Sequence, residues 1–182
     1  PEQWEARRKY WNQYGDTSLF TCEYANLFDQ KIESNSFDYI ILQDTLHHIE
    51  RLDEALAIFY KVLKPNGKLV LVEENGGCLF KRGMLFMQRG NNRVITIYDD
   101  ILKKEVLMGN ENIRPEKEWR KHFEKAGFRM DEESLQYIRF LPSCCYNDNN
   151  LQKNVEKEQK LWRKNAFLRR HAFWGINMVF GK

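Results

Sequence analysis

Two short apolar segments with one amphipathic helix between them constrain the fold of this chain more than any other feature. Residues 37–42 (Phe-Asp-Tyr-Ile-Ile-Leu) and 68–73 (Lys-Leu-Val-Leu-Val-Glu) have the length and the nearly continuous apolar character of strands in a parallel sheet. Four apolar residues recur between them at spacings of four, three and four: Leu52, Leu56, Phe59 and Leu63. Pro65 and Gly67 then predict the end of this helix. Because strand–helix–strand units form right-handed crossovers in layered sheets, we predict an α/β fold.

The remaining segments extend this pattern in a single domain over residues 1–182. We predict helices at 1–14, from Pro115 to Gly127, and over about 20 residues leading to Arg170, and strands at 18–24, 135–140 and 173–180. Asn147 to Asn150 predict a polar turn. Residues 76–113 are less regular, with a short strand expected at 94–98. A loop of this length is usually functional, and we expect it to be an insertion that covers a substrate.

Composition and charge exclude several classes of protein. The 29 basic and 26 acidic residues are interspersed, so no nucleic-acid partner is expected. No apolar run of 18 residues is present, which argues against a membrane span. The cysteines, at positions 22, 78, 144 and 145, form no Cys-x-x-Cys pair, so reduced thiols and a cytoplasmic location are expected. No metal is assigned, because the acidic groups at 99–100 and 131–133 lack ligand partners at regular spacing.

Three phrases lie in register between residues 36 and 73. They are Ser-Phe-Asp-Tyr-Ile-Ile at 36–41, Leu-His-His-Ile at 46–49, and Val-Leu-Lys-Pro-Asn-Gly-Lys-Leu-Val-Leu-Val-Glu at 62–73. In order and spacing they resemble the sFDxV, LHHI and LKPGGxLxxxE phrases of the class I S-adenosylmethionine-dependent methyltransferases. The resemblance implies a Rossmann-like sheet with an antiparallel C-terminal strand and S-adenosylmethionine as cofactor. It also implies methyl transfer to a small molecule, such as a saccharide or a lipid-linked acceptor.

The same resemblance implies a set of cofactor-binding residues at the carboxyl ends of the strands, where ligands of open α/β sheets bind. Asn26 occupies the position of an aspartate that accepts a hydrogen bond from the adenine amino group. Asn26 still accepts through its carbonyl oxygen but carries no charge. Leu27 would cover the adenine ring. Gln43 and Asp44 would face the methionine part of the cofactor.

One hallmark of the family does not occur in these 182 residues, namely the Gly-x-Gly-x-Gly turn. The resemblance places this turn and the first two strands before Pro1. We therefore expect the C-terminal two-thirds of a methyltransferase domain, lacking the first two strands, which N-terminal strands or a partner chain must complete. The alternative is a degenerate, non-catalytic methyltransferase-like domain that binds a partner. A dehydrogenase is disfavoured, because the nicotinamide fingerprint does not occur either.

The candidate catalytic residues are His47 and His48, since an imidazole titrates near neutral pH and serves as a general base. The competing interpretation is that one histidine packs and the other caps a loop. The candidate substrate residues are Glu73, Arg82, Arg89 and Arg93. The arginines favour an anionic acceptor, and the competing interpretation is a solvated basic loop.

Aromatic and basic residues alternate in irregular fashion between positions 162 and 174. This mixture occurs in membrane-surface and nucleic-acid-binding elements. We favour an amphipathic helix with its aromatic side chains directed inward and its basic groups outward. Peripheral membrane contact is therefore not the favoured interpretation.

Overall fold

The computed structural model describes residues 2–141, 145–147 and 149–182. The chain divides into two compact units, residues 1–31 and residues 32–182. In the first unit, helix α1 covers Glu2–Trp11 and a short 3-10 turn covers Leu27–Asp29. The predicted N-terminal helix is therefore confirmed over a shorter range, and Pro1 lies outside the described residues. Cys144 and residue 148, within the predicted polar turn, also lie outside them.

The strand predicted at 18–24 is wrong. These residues have no regular secondary structure, and Leu19, Phe20 and Tyr24 are more than half exposed. The alternation of apolar and polar residues satisfies only one requirement of a strand. The backbone N–H and C=O groups of a strand also need hydrogen-bond partners on a neighbouring strand. No described residue forms a ladder with residues 18–24.

The second unit contains a mixed four-stranded sheet within its described residues, in the order β1-β2-β6-β5. The strands are β1 (Phe37–Gln43), β2 (Leu63–Glu74), β5 (Arg129–Ile138) and β6 (Gly175–Gly181). Strands β1 and β2 are parallel, whereas β6 runs antiparallel to β2 and to β5. This arrangement confirms the predicted α/β fold and the antiparallel C-terminal strand.

Helix α2 (Leu52–Val62) makes the crossover from β1 to β2. Its buried face carries the apolar residues that predicted it, and Leu56 is completely buried. The sheet register is irregular where β2 begins, since Phe37 pairs with Leu63 but Tyr39 pairs with Lys68. Gly67 lies in this irregular stretch, where an added Cβ would lie 2.7 Å from Leu63 Cγ. A side chain at this position would therefore disrupt the turn into the strand.

The core on one face of the sheet is built around helix α4 (Glu116–Lys125). Trp119 and Phe123 are completely buried, as the helical spacing predicts. The Phe123 ring stacks on Phe180 of β6, with centroids 3.9 Å apart and planes 6° apart. Gly127 ends this region with φ of +100°, a conformation that favours glycine. The helix predicted between Pro115 and Gly127 is therefore confirmed.

Residues 76–113 are more regular than the sequence indicates. They form α3 (Leu79–Arg89) and a hairpin of β3 (Val94–Asp99) and β4 (Lys104–Gly109), which is a separate two-stranded sheet. The strand expected at 94–98 is confirmed. Helix α3 was not predicted, because glycine disfavours helix interiors and Gly83 lies within this helix. Large apolar residues also lie on its exposed side, which obscures the helical pattern in the sequence.

The helix predicted before Arg170 is two helices, α5 (Leu151–Lys164) and α6 (Ala166–His171). Asn165 separates them, because its side chain accepts hydrogen bonds from the backbone N–H groups of Phe167 and Leu168 at 3.0 Å and so caps α6. Phe173 is completely buried, in agreement with inward aromatic packing, whereas Phe167 is exposed. Among the described residues, no helix combines the length and apolar character needed to cross a membrane.

The described residues cover one face of strand β1 and leave the other exposed. It forms a ladder with β2 alone among the described residues. Tyr39 and Ile41, which point to the same face of the strand, are 66% and 70% exposed. Among the described elements, only the face that carries Leu42 is covered.

We predict that Phe123→Ala lowers the free energy of unfolding by about 3–5 kcal/mol, because it removes a fully buried ring and leaves a cavity against Phe180. Urea denaturation measures this loss. Phe86→Ala is the matched control, since Phe86 is 61% exposed and should lose less than about 0.5 kcal/mol. Equal losses in the two variants would contradict the assignment of Phe123 to the core.

Candidate functional site

The carboxyl ends of β1 and β2 form the edge on which the candidate site is built. After Gln43 the backbone turns sharply at Asp44, whose φ is +45°. Asp44 N–H donates to Val72 O at 2.8 Å, so the turn stays attached to the neighbouring strand. A non-glycine residue in the left-handed region is uncommon and occurs often at functional sites. The chain then enters a 3-10 turn over Leu46–His48.

Glu73 holds this turn from the end of β2. Its side chain is completely buried, and Oε1 accepts hydrogen bonds from the backbone N–H groups of Thr45 and Leu46 at 2.9 and 2.5 Å. Its Oε2 lies 2.5 Å from His47 Nδ1. A buried carboxylate is stable only with such partners. The structure therefore places Glu73 beneath the site as its support, without an exposed atom for a substrate.

The two histidines lie side by side, with ring centroids 4.1 Å apart. His47 is buried, whereas the His48 side chain is 38% exposed. His48 Nδ1 lies 3.4 Å from the backbone oxygen of Gly109. His47 thus combines burial with an ion-pair partner, and His48 offers an imidazole to solvent.

Glu111 joins the histidines, and sequence reasoning missed it. Its Oε2 lies 3.8 Å from His47 Nε2 and its Oε1 lies 3.7 Å from His48 Nε2. The contact forms because Asn112 N–H donates to His47 O at 2.9 Å and Met108 forms a bridge with Ile49. These bonds attach the end of the β3–β4 hairpin to the 3-10 turn. No spacing rule connects residues more than 60 positions apart, so the sequence contained no signal for this contact.

The three candidate substrate arginines line one cavity of about 690 Å³. Arg82 and Arg89 project from α3 and Arg93 from the loop after it, together with the apolar side chains of Leu85 and Phe86. In the described part of the chain, neither Arg82 nor Arg93 has an ion pair with a carboxylate. The cavity thus presents Arg82 and Arg93 without an ion-pair partner among the described residues, while Glu118, which also lines it, pairs with Arg114.

Arg89 lies in an environment that disfavours its positive charge. Burial lowers its pKa, and the like charge of Arg93 lowers the pKa further, while Glu111 opposes both effects. Its Nη2 donates to the backbone oxygen of Glu111 at 3.1 Å. Its buried Nε has no partner among the described residues. An anion in the cavity would supply an acceptor and relieve the repulsion.

Lys81 belongs to a different environment from the arginines, although it is their neighbour in sequence. Its ammonium group is buried and forms an ion pair with Glu74. Burial lowers the pKa of Lys81, and the nearby Arg139 charge contributes in the same direction. Lys81 therefore anchors α3 to the end of β2.

Asn75 is a second residue that sequence reasoning missed. Its buried side chain donates to the backbone oxygens of Phe173 and Arg170 at 2.9 and 3.1 Å. Its Oδ1 accepts from Gly77 N–H at 2.9 Å. Asn75 therefore fixes the segment before β6 against the loop that opens the arginine cavity.

The predicted cofactor-binding residues lie in both units. Gln43 is exposed at the end of β1, and the half-buried Asp44 accepts from Arg139 Nη2 at 3.3 Å. In the first unit, Asn26 Oδ1 accepts from Phe28 N–H at 3.0 Å and so caps the short turn that begins at Leu27. The assignment of these residues to S-adenosylmethionine stays a prediction.

Comparison with known proteins supports the resemblance found in the sequence. The sequence model of the family described as "Methyltransferase domain" matches residues 3–71, which contain the Leu-His-His-Ile phrase and most of the crossover. The match covers less than half of the chain and supports the resemblance of its sequence to the class I methyltransferases. This family consists of enzymes whose cofactor is S-adenosylmethionine, as the resemblance in the sequence implied.

Solved structures show the same fold. An S-adenosylmethionine-dependent methyltransferase from Mesorhizobium loti has a TM-score of 0.54 and 14% identity, covering 100% of this chain and 77% of its own. A similar protein from Listeria monocytogenes, described as a putative S-adenosylmethionine-dependent methyltransferase, has a TM-score of 0.55 and 15% identity, covering 94% and 72%. At these identities the likeness concerns the fold alone.

One curated relative matches a short part of this chain. It is the "Probable polyketide synthase 10" of Dictyostelium discoideum, 39% identical over 44 residues. The match covers 24% of this chain and 2% of that protein, so the chain spans a small fraction of the relative's length.

We predict that Glu73→Gln lowers the free energy of unfolding by about 1–3 kcal/mol, because the amide cannot reproduce the charge-assisted bond to His47. Thermal or urea unfolding measures the change. Glu133→Gln, an exposed position on β5, is the matched control and should be neutral. A neutral Glu73→Gln would show that the buried carboxylate does not hold the turn.

Proposed function

We propose that the protein containing this chain transfers a methyl group from S-adenosylmethionine to a small anionic acceptor. The observation that carries the proposal is the arginine cavity beside the histidine pair. Arg89 links the two, since it lines the cavity and also donates to the backbone oxygen of Glu111. The family supplies the reaction, and this geometry supports the class of acceptor.

The residues at the end of β1 suit the polar part of the cofactor. The Asp44 carboxylate is half-exposed, and its pairing with Arg139 at 3.3 Å leaves it accessible to an ammonium group. Gln43 adds a neutral donor and acceptor beside it. Asn26 and Leu27 are the candidates for the adenine. When bound, S-adenosylmethionine supplies an electron-poor methyl group.

Little acid–base chemistry is needed once an acceptor is held against such a methyl group, because positioning supplies most of the rate. A hydroxyl or ammonium acceptor must still lose a proton. His48 is our candidate base, since its side chain is 38% exposed. His47, which is buried and bonded to Glu73, is our candidate for positioning its neighbour.

The arginines favour an acceptor that carries a phosphate or carboxylate. Guanidinium groups bind such anions with two parallel hydrogen bonds, and a partly buried pair binds more strongly than an exposed one. A phosphorylated saccharide or a lipid-linked headgroup fits this chemistry. The apolar lining from Leu85 and Phe86 suits the remainder of such a molecule.

A second candidate function is a non-catalytic domain that binds a partner. Asn26 favours it, because this residue lacks the negative charge of the aspartate that the family places there, and its Oδ1 already accepts from Phe28 N–H. We also propose that further strands, from the same protein or from a partner chain, pair with the free edge of β1 and cover Tyr39 and Ile41. The free thiols of Cys22 and Cys78 support a cytoplasmic location.

We predict that the native protein transfers label from S-adenosyl-[methyl-³H]methionine to phosphorylated small molecules, detected by chromatography of the products. His48→Gln should lower kcat at least tenfold while leaving binding of S-adenosylmethionine, measured by calorimetry, within twofold. His122→Gln is the control, because its imidazole pairs with Asp53 away from the site. Cofactor binding without transfer to any acceptor would favour the non-catalytic candidate.

We predict that Arg93→Gln raises KM for an anionic acceptor roughly tenfold and changes kcat less than threefold, because it removes one charged contact made equally in the ground and transition states. Steady-state kinetics measure the two constants. Arg129→Gln, at an exposed position on β5, serves as the control. An unchanged KM would assign the arginines to a solvated basic surface.

A further inference from the structure

The His47, His48 and Glu111 cluster has a property that general-base chemistry does not require. A nitrogen from each ring and a carboxylate oxygen all lie within 4.8 Å of one another. Both Nε2 atoms face the Glu111 carboxylate, at 3.8 and 3.7 Å. These distances are too long for hydrogen bonds.

Each histidine has an oxygen acceptor next to its Nδ1 atom. His47 Nδ1 lies 2.5 Å from a Glu73 oxygen, and His48 Nδ1 lies 3.4 Å from Gly109 O. Carboxylate and carbonyl oxygens only accept, so each Nδ1 is the donor, and in a neutral ring the lone pair lies on Nε2. Two lone pairs and a carboxylate thus converge without a donor between them, which favours a cation at this position.

We propose that His47 Nε2, His48 Nε2 and a Glu111 carboxylate oxygen bind a divalent cation of the zinc class. Two imidazoles and one carboxylate are a ligand set typical of zinc sites that keep a fourth position open. With ligand bonds of about 2.0–2.2 Å in tetrahedral geometry, neighbouring ligand atoms lie about 3.4 Å apart. The separations of 3.8 and 3.7 Å join the two Nε2 atoms to different oxygens of Glu111, so coordination by one oxygen requires rotation of this side chain. Magnesium and calcium prefer all-oxygen sites.

The surroundings of the cluster support the assignment. Glu73 bonds to the far nitrogen of His47, and a carboxylate in this position orients a ligand histidine and increases its basicity. Glu73 and Glu111 together supply two negative charges for a divalent ion. The Arg89 side chain is directed to the backbone oxygen of Glu111, so the carboxylate oxygens stay available. His48 and Glu111 are partly exposed, which provides an entry path.

A cation bound to His48 Nε2 would occupy the lone pair of the proposed base, so the two roles of His48 are alternatives. The metal site does not rest on the proposed methyl transfer, and its test needs no acceptor. We expect chelator-treated native protein to bind Zn²⁺ at one ion per chain by calorimetry, with Mg²⁺ failing to compete. Co²⁺ in place of Zn²⁺ should give the visible absorption of a four-coordinate site. Glu111→Gln and His48→Gln should each weaken Zn²⁺ binding at least tenfold. His122→Gln, the same substitution at the surface, should leave it unchanged.

Several outcomes would overturn the proposal. Absence of stoichiometric Zn²⁺ binding by the unaltered protein would do so, and so would equal affinity in the Glu111→Gln and His48→Gln variants. ¹⁵N spectra of the histidines provide a measurement on the unaltered protein. A proton found on Nε2 of either ring, unaffected by added Zn²⁺, would show that a proton and not a metal ion bridges the cluster.

Discussion

The buried carboxylate of Glu73 is the interaction on which the rest of the site depends. Burying an isolated carboxylate is strongly unfavourable, so its position requires the N–H groups of Thr45 and Leu46 and the ring of His47. These bonds join the end of β2 to the turn that follows β1. In consequence, the packing of the sheet orients the ring of His47. The His47 ring contacts that of His48 and so orients it as well.

Opposite charges lie close together around this support. The arginine cavity attracts anions, while Glu111 and the two imidazoles favour a cation or a proton. Arg89 separates the two regions, with its side chain lining the cavity and its Nη2 bonded to the backbone of Glu111. An acceptor with an anionic group and a nucleophilic atom fits such an arrangement, because one end is held by charge while the other lies near the histidines.

Elements with strong local patterns could be predicted from the sequence. Helix α2 and strand β2 were found because apolar residues recur at the period of each element, and α4 because Trp119, Phe123 and the final Gly127 agree. The strand expected at 18–24 failed since strand formation needs a partner that local alternation does not supply. The break between α5 and α6 was missed because the cap at Asn165 competes with an otherwise continuous helical pattern.

The sequence by itself determined the crossover unit and named Arg82, Arg89 and Arg93 as candidate substrate residues in one segment. That Arg82 and Arg89 lie on one helix followed only from the structure, because α3 was not predicted. The tertiary structure alone decided that Glu73 lies beneath the site and that Glu111 reaches the histidines. The physical reason is distance along the chain. Local patterns report the burial of a face, whereas contacts between residues tens of positions apart depend on how the sheet and the hairpin pack.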